Sequence, residues 1–220
     1  FWLLFGSSVG EYLGIKFVAP DADQVSWLSF GRLRPVHTNS VFWGWASLGM
    51  LGLGYYIVPR VSNTPLASIK NGWYALYLIN ASVIIGSIFL MAGVNNGGGE
   101  FREYIWPVMA LFGIGLILSL ANFLQTIARR KTKEIYISNW YMVSAIIFAL
   151  VITVAAYVPL WQDGLGETII QGYYMHQGVG MWFMFFTLGI VYYFLPQQLN
   201  KPIYSYSLGI LAFWTQILFY

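Results

Sequence analysis

No cysteine occurs anywhere in the 220 residues. That excludes disulfides, iron–sulfur clusters and thiolate metal sites, so any metal must be held by histidine, carboxylate or backbone oxygen. Charge is almost as scarce: Asp, Glu, Lys and Arg make up 9% of the chain, against about 25% in soluble domains. The net charge of +3 is small and scattered, so no nucleic-acid partner is expected. Histidine occurs twice, as His37 and His176.

What is abundant is apolar. Hydrophobic residues reach 58%, aromatics 19%, and the mean hydropathy is +0.64. A single core of this size cannot bury that much apolar surface, and a lipid bilayer is the alternative solvent. Seven apolar runs lie near residues 1–18, 37–58, 72–94, 105–128, 139–158, 168–195 and 203–220. Each approaches the roughly 20 residues needed to cross about 30 Å of hydrocarbon. Backbone in lipid must satisfy its own hydrogen bonds, so each run is expected to be a helix. The connections carry turn residues: Pro20-Asp21-Ala22-Asp23, Asn63-Thr64-Pro65, Asn95-Asn96-Gly97-Gly98-Gly99 and Pro196. The expected fold is an all-α membrane protein with one domain over residues 1–220. Phe1-Trp2-Leu3-Leu4 and Ile217-Leu218-Phe219-Tyr220 are both apolar, and the chain is expected to be a piece of a longer membrane protein.

Loop charge predicts the orientation. Alternate loops hold Arg60 and Lys70, then Arg129, Arg130, Lys131 and Lys133, then Lys201. These are expected in the cytoplasm. The other set holds Asp21, Asp23, Arg32 and Arg34, then Glu100, Arg102 and Glu103, then Asp163 and Glu167, and is expected outside.

His37 opens the second run, and His176 lies roughly 13 Å below the outer end of the sixth. Both fall in the outer half of the membrane. An ionisable residue there is costly and marks function by default. Three readings stand open for each: a neutral imidazole hydrogen-bonded between helices, a proton relay, or a metal ligand. Helical spacing puts His37, Ser40, Gly44 and Ser47 on one face, which predicts a slot that a flat macrocycle could fill. Gly172 and Gly180 flank His176 one turn away on either side. Close helix packing explains the small residues equally well. Arg32 and Arg34, expected just outside the head of the second helix, could pair with carboxylates.

These stretches, in this order, resemble a known family. Gly31-Arg32-Leu33-Arg34-Pro35-Val36-His37-Thr38, Arg102-Glu103-Tyr104, Ile135-Tyr136-Ile137-Ser138-Asn139-Trp140, Tyr192-Tyr193-Phe194-Leu195-Pro196 and Lys201-Pro202-Ile203-Tyr204-Ser205-Tyr206 are similar to the catalytic subunit of cbb3-type cytochrome c oxidases, the C branch of the heme–copper oxidases. The resemblance covers essentially the whole chain and implies about seven helices of a twelve-helix bundle. It implies that His37 is an axial ligand of a low-spin heme b, and that His176 is one of three histidine ligands of copper beside a high-spin heme b. Tyr220 falls at the position of the family's catalytic tyrosine, which is cross-linked to that copper histidine. Arg32 and Arg34 match arginines on the heme-propionate side, and Glu103 a calcium ligand. The implied activity is reduction of oxygen to water with electrons from cytochrome c, coupled to proton translocation. The implied partners are membrane-anchored c-type cytochrome subunits, and the implied setting is a bacterial inner membrane with the active site toward the periplasmic half.

The sequence departs from that pattern in places. His176 is followed by Gln177-Gly178 where the family has Asn-Ala, and Met184 stands for a threonine. Gly209 and Ala212 replace a serine and a histidine on the family's proton route. Neither can relay a proton, although both leave room for water. Tyr192, Tyr206, Ser207, Thr215 and Gln216 are the polar residues that could substitute. Two rivals remain. A nitric oxide reductase of the same superfamily would carry glutamate where this chain has Gly180, and would lack Tyr220. A cofactor-free transporter would be expected to show paired broken helices, and no matching pair is evident.

Overall fold

The computed structural model describes residues 1–158 and 163–220. Among these residues the chain forms seven helices, a short 3-10 turn at Ser26–Leu28 and no strand. The helices are α1 (Trp2–Val18), α2 (Phe30–Val61), α3 (Ile69–Ala92), α4 (Trp106–Ala128), α5 (Ile137–Tyr157), α6 (Leu165–Gln198) and α7 (Tyr206–Phe219). The five from α2 to α6 are long and apolar enough to cross a bilayer. α1 and α7 are shorter, at 17 and 14 residues.

Local chemistry sets several ends. The Ser68 hydroxyl accepts from the Asn71 amide at 3.1 Å and starts α3, and Ser205 does the same for α7 through the Leu208 amide at 3.2 Å. Gly93 closes α3 at φ +88°, the left-handed conformation that glycine adopts without strain. α2 begins seven residues before the expected start, at Phe30 rather than His37. Arg32 and Arg34 are therefore inside the helix, not beyond its head, and so is Pro35. The apolar pattern marks only the lipid-facing length. A helix continues past it wherever one face stays packed, as Leu33 and Val36 do here, both buried.

Contacts between loops show the helices running alternately up and down. At one end, Arg34 meets Glu100 and Arg102 meets Glu167, which gathers the starts of α2 and α6 with the α3–α4 connection. At the other end, Asn139 donates to the Ser62 hydroxyl at 3.2 Å and the Tyr206 hydroxyl donates to the Ile135 carbonyl at 2.9 Å, which gathers the α2–α3 connection with the starts of α5 and α7. The first is the mixed-charge end and the second the basic end. At the mixed-charge end, Asp23 takes Lys16 at 2.6 Å and the Tyr12 hydroxyl. The Lys16 ammonium, then the Tyr12 hydroxyl, lower its carboxyl to about 2.

Lipid supplies no hydrophobic drive between helices, so close approach carries the packing. α2 and α6 meet along a buried seam where Phe42 lies 4.2 Å from Phe183, ring to ring, and a methyl on Gly54 would sit 2.8 Å from the Phe186 ring. The α3–α4 connection is stapled across the mixed-charge end. The Phe101 carbonyl accepts from the Trp43 indole and the Tyr174 hydroxyl, each at 3.1 Å, and the Tyr104 carbonyl accepts from Tyr157 at 2.9 Å. The basic end is held similarly by Asn122, which exchanges hydrogen bonds with the Ser68 backbone at 2.7 and 3.0 Å.

Candidate functional site

His37 projects from α2 toward α1. Its Nδ1 lies 2.7 Å from the Gly6 carbonyl. A carbonyl only accepts, so the proton sits on Nδ1 and Nε2 keeps its electron pair, the tautomer a metal ligand needs. A methyl on Gly10 would lie 2.6 Å from the ring, so glycine there lets the imidazole lie against the α1 backbone. The donor chemistry thus fits an iron ligand.

The slot expected along the face of His37 is not formed. A methyl on Gly44 would lie 2.8 Å from the Trp2 ring of α1, whereas Ser47 faces Trp182 of α6. α1 fills the space, since His37, Ser40 and Gly44 all lie against it, and only Ser47 turns away. Ser40–Ala46 is wound as a π-helix, and the wider turn rotates the residues after it off the face that 3.6-residue spacing assigns them. α6 carries a second π segment, Gly178–Met184, just after His176.

His176 and Tyr220 are brought together from α6 and the end of α7. Their rings stack with centroids 4.3 Å apart and planes 10° from parallel. His176 Nε2 is 3.3 Å from the Tyr220 carbonyl, and the Tyr220 hydroxyl is 3.5 Å from the His176 carbonyl. The phenol ring occupies the space where a Gly180 side chain would be. By the same tautomer argument Nε2 bears the proton here, so Nδ1 is the nitrogen free to bind a metal. Among the described residues no three His, Cys, Asp or Glu side chains cluster as a metal site. His176 fits copper only as one ligand of several.

Both candidate propionate arginines have protein partners. Arg32 Nη1 donates to the Met91 carbonyl at 3.1 Å at the end of α3. Arg34 Nη2 pairs with Glu100 at 2.8 Å, with both side chains partly exposed. Glu103 is buried and accepts from Asn39 Nδ2 at 2.8 Å. Burial pushes its carboxyl up from the ordinary carboxylate range, and the Asn39 bond opposes the rise. Asn39 Oδ1 is buried with no partner among the described residues. A carboxylate beside an orphaned amide oxygen is an oxygen donor set of the kind calcium takes. Asn39, Trp43, Arg102, Tyr157 and Tyr174 hold this rim together. Sequence reasoning does not single them out as a group, since each acts across more than 50 residues.

The room for water expected at Gly209 is filled by the Ile137 side chain. Of the polar substitutes, Tyr206 donates to Ile135, and Thr215 donates to the Leu211 and Ala212 carbonyls at 3.0 Å. Gln216 accepts from Tyr141 at 2.9 Å, and Tyr192 stacks on Tyr141 with centroids 5.5 Å apart. Tyr141, on α5, joins that group although nothing in its local pattern distinguishes it from a packing aromatic.

Apolar antiparallel helices of spanning length, with a histidine on each of two that pack together, define a polytopic helical membrane protein. The chain belongs to the family described as Cytochrome C and Quinol oxidase polypeptide I, whose profile matches residues 1–220. It is 29% identical to the cytochrome c oxidase subunit 1 homolog of Agrobacterium tumefaciens (strain T37), covering all of this chain and 43% of that protein. It is 30% identical to the cbb3-type cytochrome c oxidase subunit CcoN1 of Stutzerimonas stutzeri, covering all of this chain and 48% of that one. Cytochrome c oxidase subunit 1 of Rhodobacter capsulatus is 28% identical, with all of this chain and 44% of that protein covered. The chain thus spans a little under half the length of these relatives.

Proposed function

We propose that the chain is part of the catalytic subunit of a terminal oxidase of the cbb3 type, in a bacterial inner membrane. It would reduce oxygen with electrons from cytochrome c, delivered by membrane-anchored c-type cytochrome subunits, and couple this to proton translocation. The observation that carries this reading is Tyr220 stacked on His176 in the space over Gly180. A nitric oxide reductase would need a carboxylate at Gly180, and the phenol leaves it no room.

Two b hemes and copper, when bound, supply the electron transfer and the activation of oxygen. The residues of this chain hold and orient. His37 would present Nε2 to the low-spin iron, because the Gly6 carbonyl fixes its other nitrogen. His176 would present Nδ1 to copper, and the stacked phenol of Tyr220 would supply a proton from its hydroxyl beside that site. Arg34 is the better placed of the two propionate partners, because its Glu100 pair is partly exposed and exchangeable. Among the described residues Arg32 uses one N–H, on Met91, and a guanidinium carries five. Glu103 and Asn39 would hold calcium beneath them.

The full-length protein, purified with its partner subunits, tests this reading. A reduced heme b spectrum and oxygen uptake with reduced cytochrome c are expected. His37→Ala should remove the low-spin component and leave the high-spin one. A colourless, folded protein would return the assignment to the transporter class.

A further inference from the structure

Two of the long helices lose α pitch at one place each, and in both the place follows a candidate metal ligand. Ser40–Ala46 follows His37, and Gly178–Met184 follows His176. A π turn admits an extra residue and so rotates everything before it about the helix axis. The direction in which each imidazole points depends on that turn being kept. A π turn is rare because its backbone bonds are poorer than those of an α turn. Something must hold it.

One buried chain of hydrogen bonds joins the two segments. The Ser47 hydroxyl donates to the Phe42 carbonyl, five residues back in the α2 π segment, at 2.9 Å. The Trp182 indole, inside the α6 π segment, donates to the Ser47 hydroxyl at 3.1 Å. Ser47 and Trp182 are both wholly buried. The same two segments meet ring to ring through Phe42 and Phe183, and Phe42 stacks in turn on Phe101 of the α3–α4 connection, at 4.1 Å. Without the Ser47 hydroxyl the buried Trp182 indole loses its acceptor, while the Phe42 carbonyl keeps only the Ser47 amide, so the seam between the two π segments loses the bond that ties it.

We propose that the Trp182–Ser47–Phe42 relay locks the two π turns together and thereby sets the orientation of His37 relative to His176. The inference rests on the reading that these histidines hold heme iron and copper. The bonds of Trp182 and Ser47 reach neither His37 nor His176, so they are positioning residues.

The test uses the full-length subunit assembled with its partners, as Ser47→Ala, Trp182→Phe and the double variant, with Ser47→Thr as the conservative control. Heme and copper content, the low-spin heme g-values by electron paramagnetic resonance, and the internal electron-transfer rate after carbon monoxide photolysis are measured. Metal content is expected to stay at the wild-type level while the g-values shift. The internal rate should fall by about tenfold, within the roughly hundredfold that a 1 Å misplacement can cost. The double variant should match the worse single, because both remove one interaction, and Ser47→Thr should restore wild-type values. Unchanged g-values and rate in Ser47→Ala would overturn the proposal. If Trp182→Phe does not assemble, Ser47→Ala against Ser47→Thr decides alone. A wild-type protein without heme would instead defeat the oxidase reading.

Discussion

Gly180 makes a one-atom prediction. Its missing side chain is the space in which the Tyr220 ring lies on His176. Gly180→Ala in the full-length protein should displace the phenol and lower oxygen uptake by about tenfold or more, with the low-spin heme spectrum unchanged. A methyl on Gly172, one turn before His176, would meet nothing within 4 Å, and Gly172→Ala should stay within about twofold, as surface substitutions do. The sequence showed which residues to suspect here, because an imidazole in an apolar run is conspicuous. It did not show their partners. The Gly6 carbonyl that sets the His37 tautomer belongs to another helix, and no local pattern encodes it. Glu103 makes a second prediction. Burial raises its folded pKa above the ordinary value of about 4.3, so its contribution is full below that value and is lost as pH rises through the raised one. Burial makes the charged form more costly in the folded state than in the unfolded one, and a bound cation would offset that cost. In thermal melts at neutral pH, Glu103→Gln should match or exceed the wild type in chelator and fall below it with calcium added. If calcium makes no difference, Glu103 is not a calcium ligand.

Helices were the most legible elements, and their interruptions the least. Length and hydropathy are enough to mark a span, because lipid leaves the backbone few alternatives. They do not mark where a helix stops once it leaves lipid, so α2 runs back through Arg32 and Arg34. Nor do they mark a π turn, whose Phe42 carbonyl takes the Ser47 hydroxyl while a distant residue, Trp182, donates to that hydroxyl. The α3–α4 connection gives a paired test of local conformation against crowding. Gly93 and Gly97 both have left-handed backbone, at φ +88° and +93°. A methyl at Gly97 would meet nothing within 4 Å, whereas one at Gly93 would lie 3.1 Å from Arg32 Nη2. Gly97→Ala should cost about 1 kcal/mol from backbone strain alone. Gly93→Ala should cost more, because it also pushes Arg32 off the Met91 carbonyl. Equal shifts in the thermal midpoint would mean that Arg32 adapts freely and does not fix the end of α3.

For the whole molecule, the open quantity is direction. Hydrogen bonds between loops establish that the helices alternate, so the two ends are chemically distinct whatever membrane surrounds them. Arg60, Lys70, Arg129, Arg130, Lys131, Lys133 and Lys201 collect at the basic end with Glu134, against Lys16, Arg32, Arg34 and Arg102 at the other, where Asp21, Asp23, Glu100, Glu103, Asp163 and Glu167 lie. Positive residues in short loops stay in the cytoplasm during insertion, and acidic residues contribute little to that choice, so the lysines and arginines decide. The absence of cysteine makes the experiment clean within this chain, since an introduced thiol there has no competitor. Gly98 and Lys133 are exposed on opposite ends, and a side chain at Gly98 would meet nothing within 4 Å. In intact spheroplasts, a membrane-impermeant maleimide should label Gly98→Cys in the full-length protein at once and Lys133→Cys only after lysis. The reverse pattern would turn the bundle over. His37 and His176 both stand nearer the Gly98 end than the Lys133 end along their helices, so the same labelling decides whether the proposed oxygen site would face the periplasmic half, and whether protons would have to cross most of the membrane to reach Tyr220.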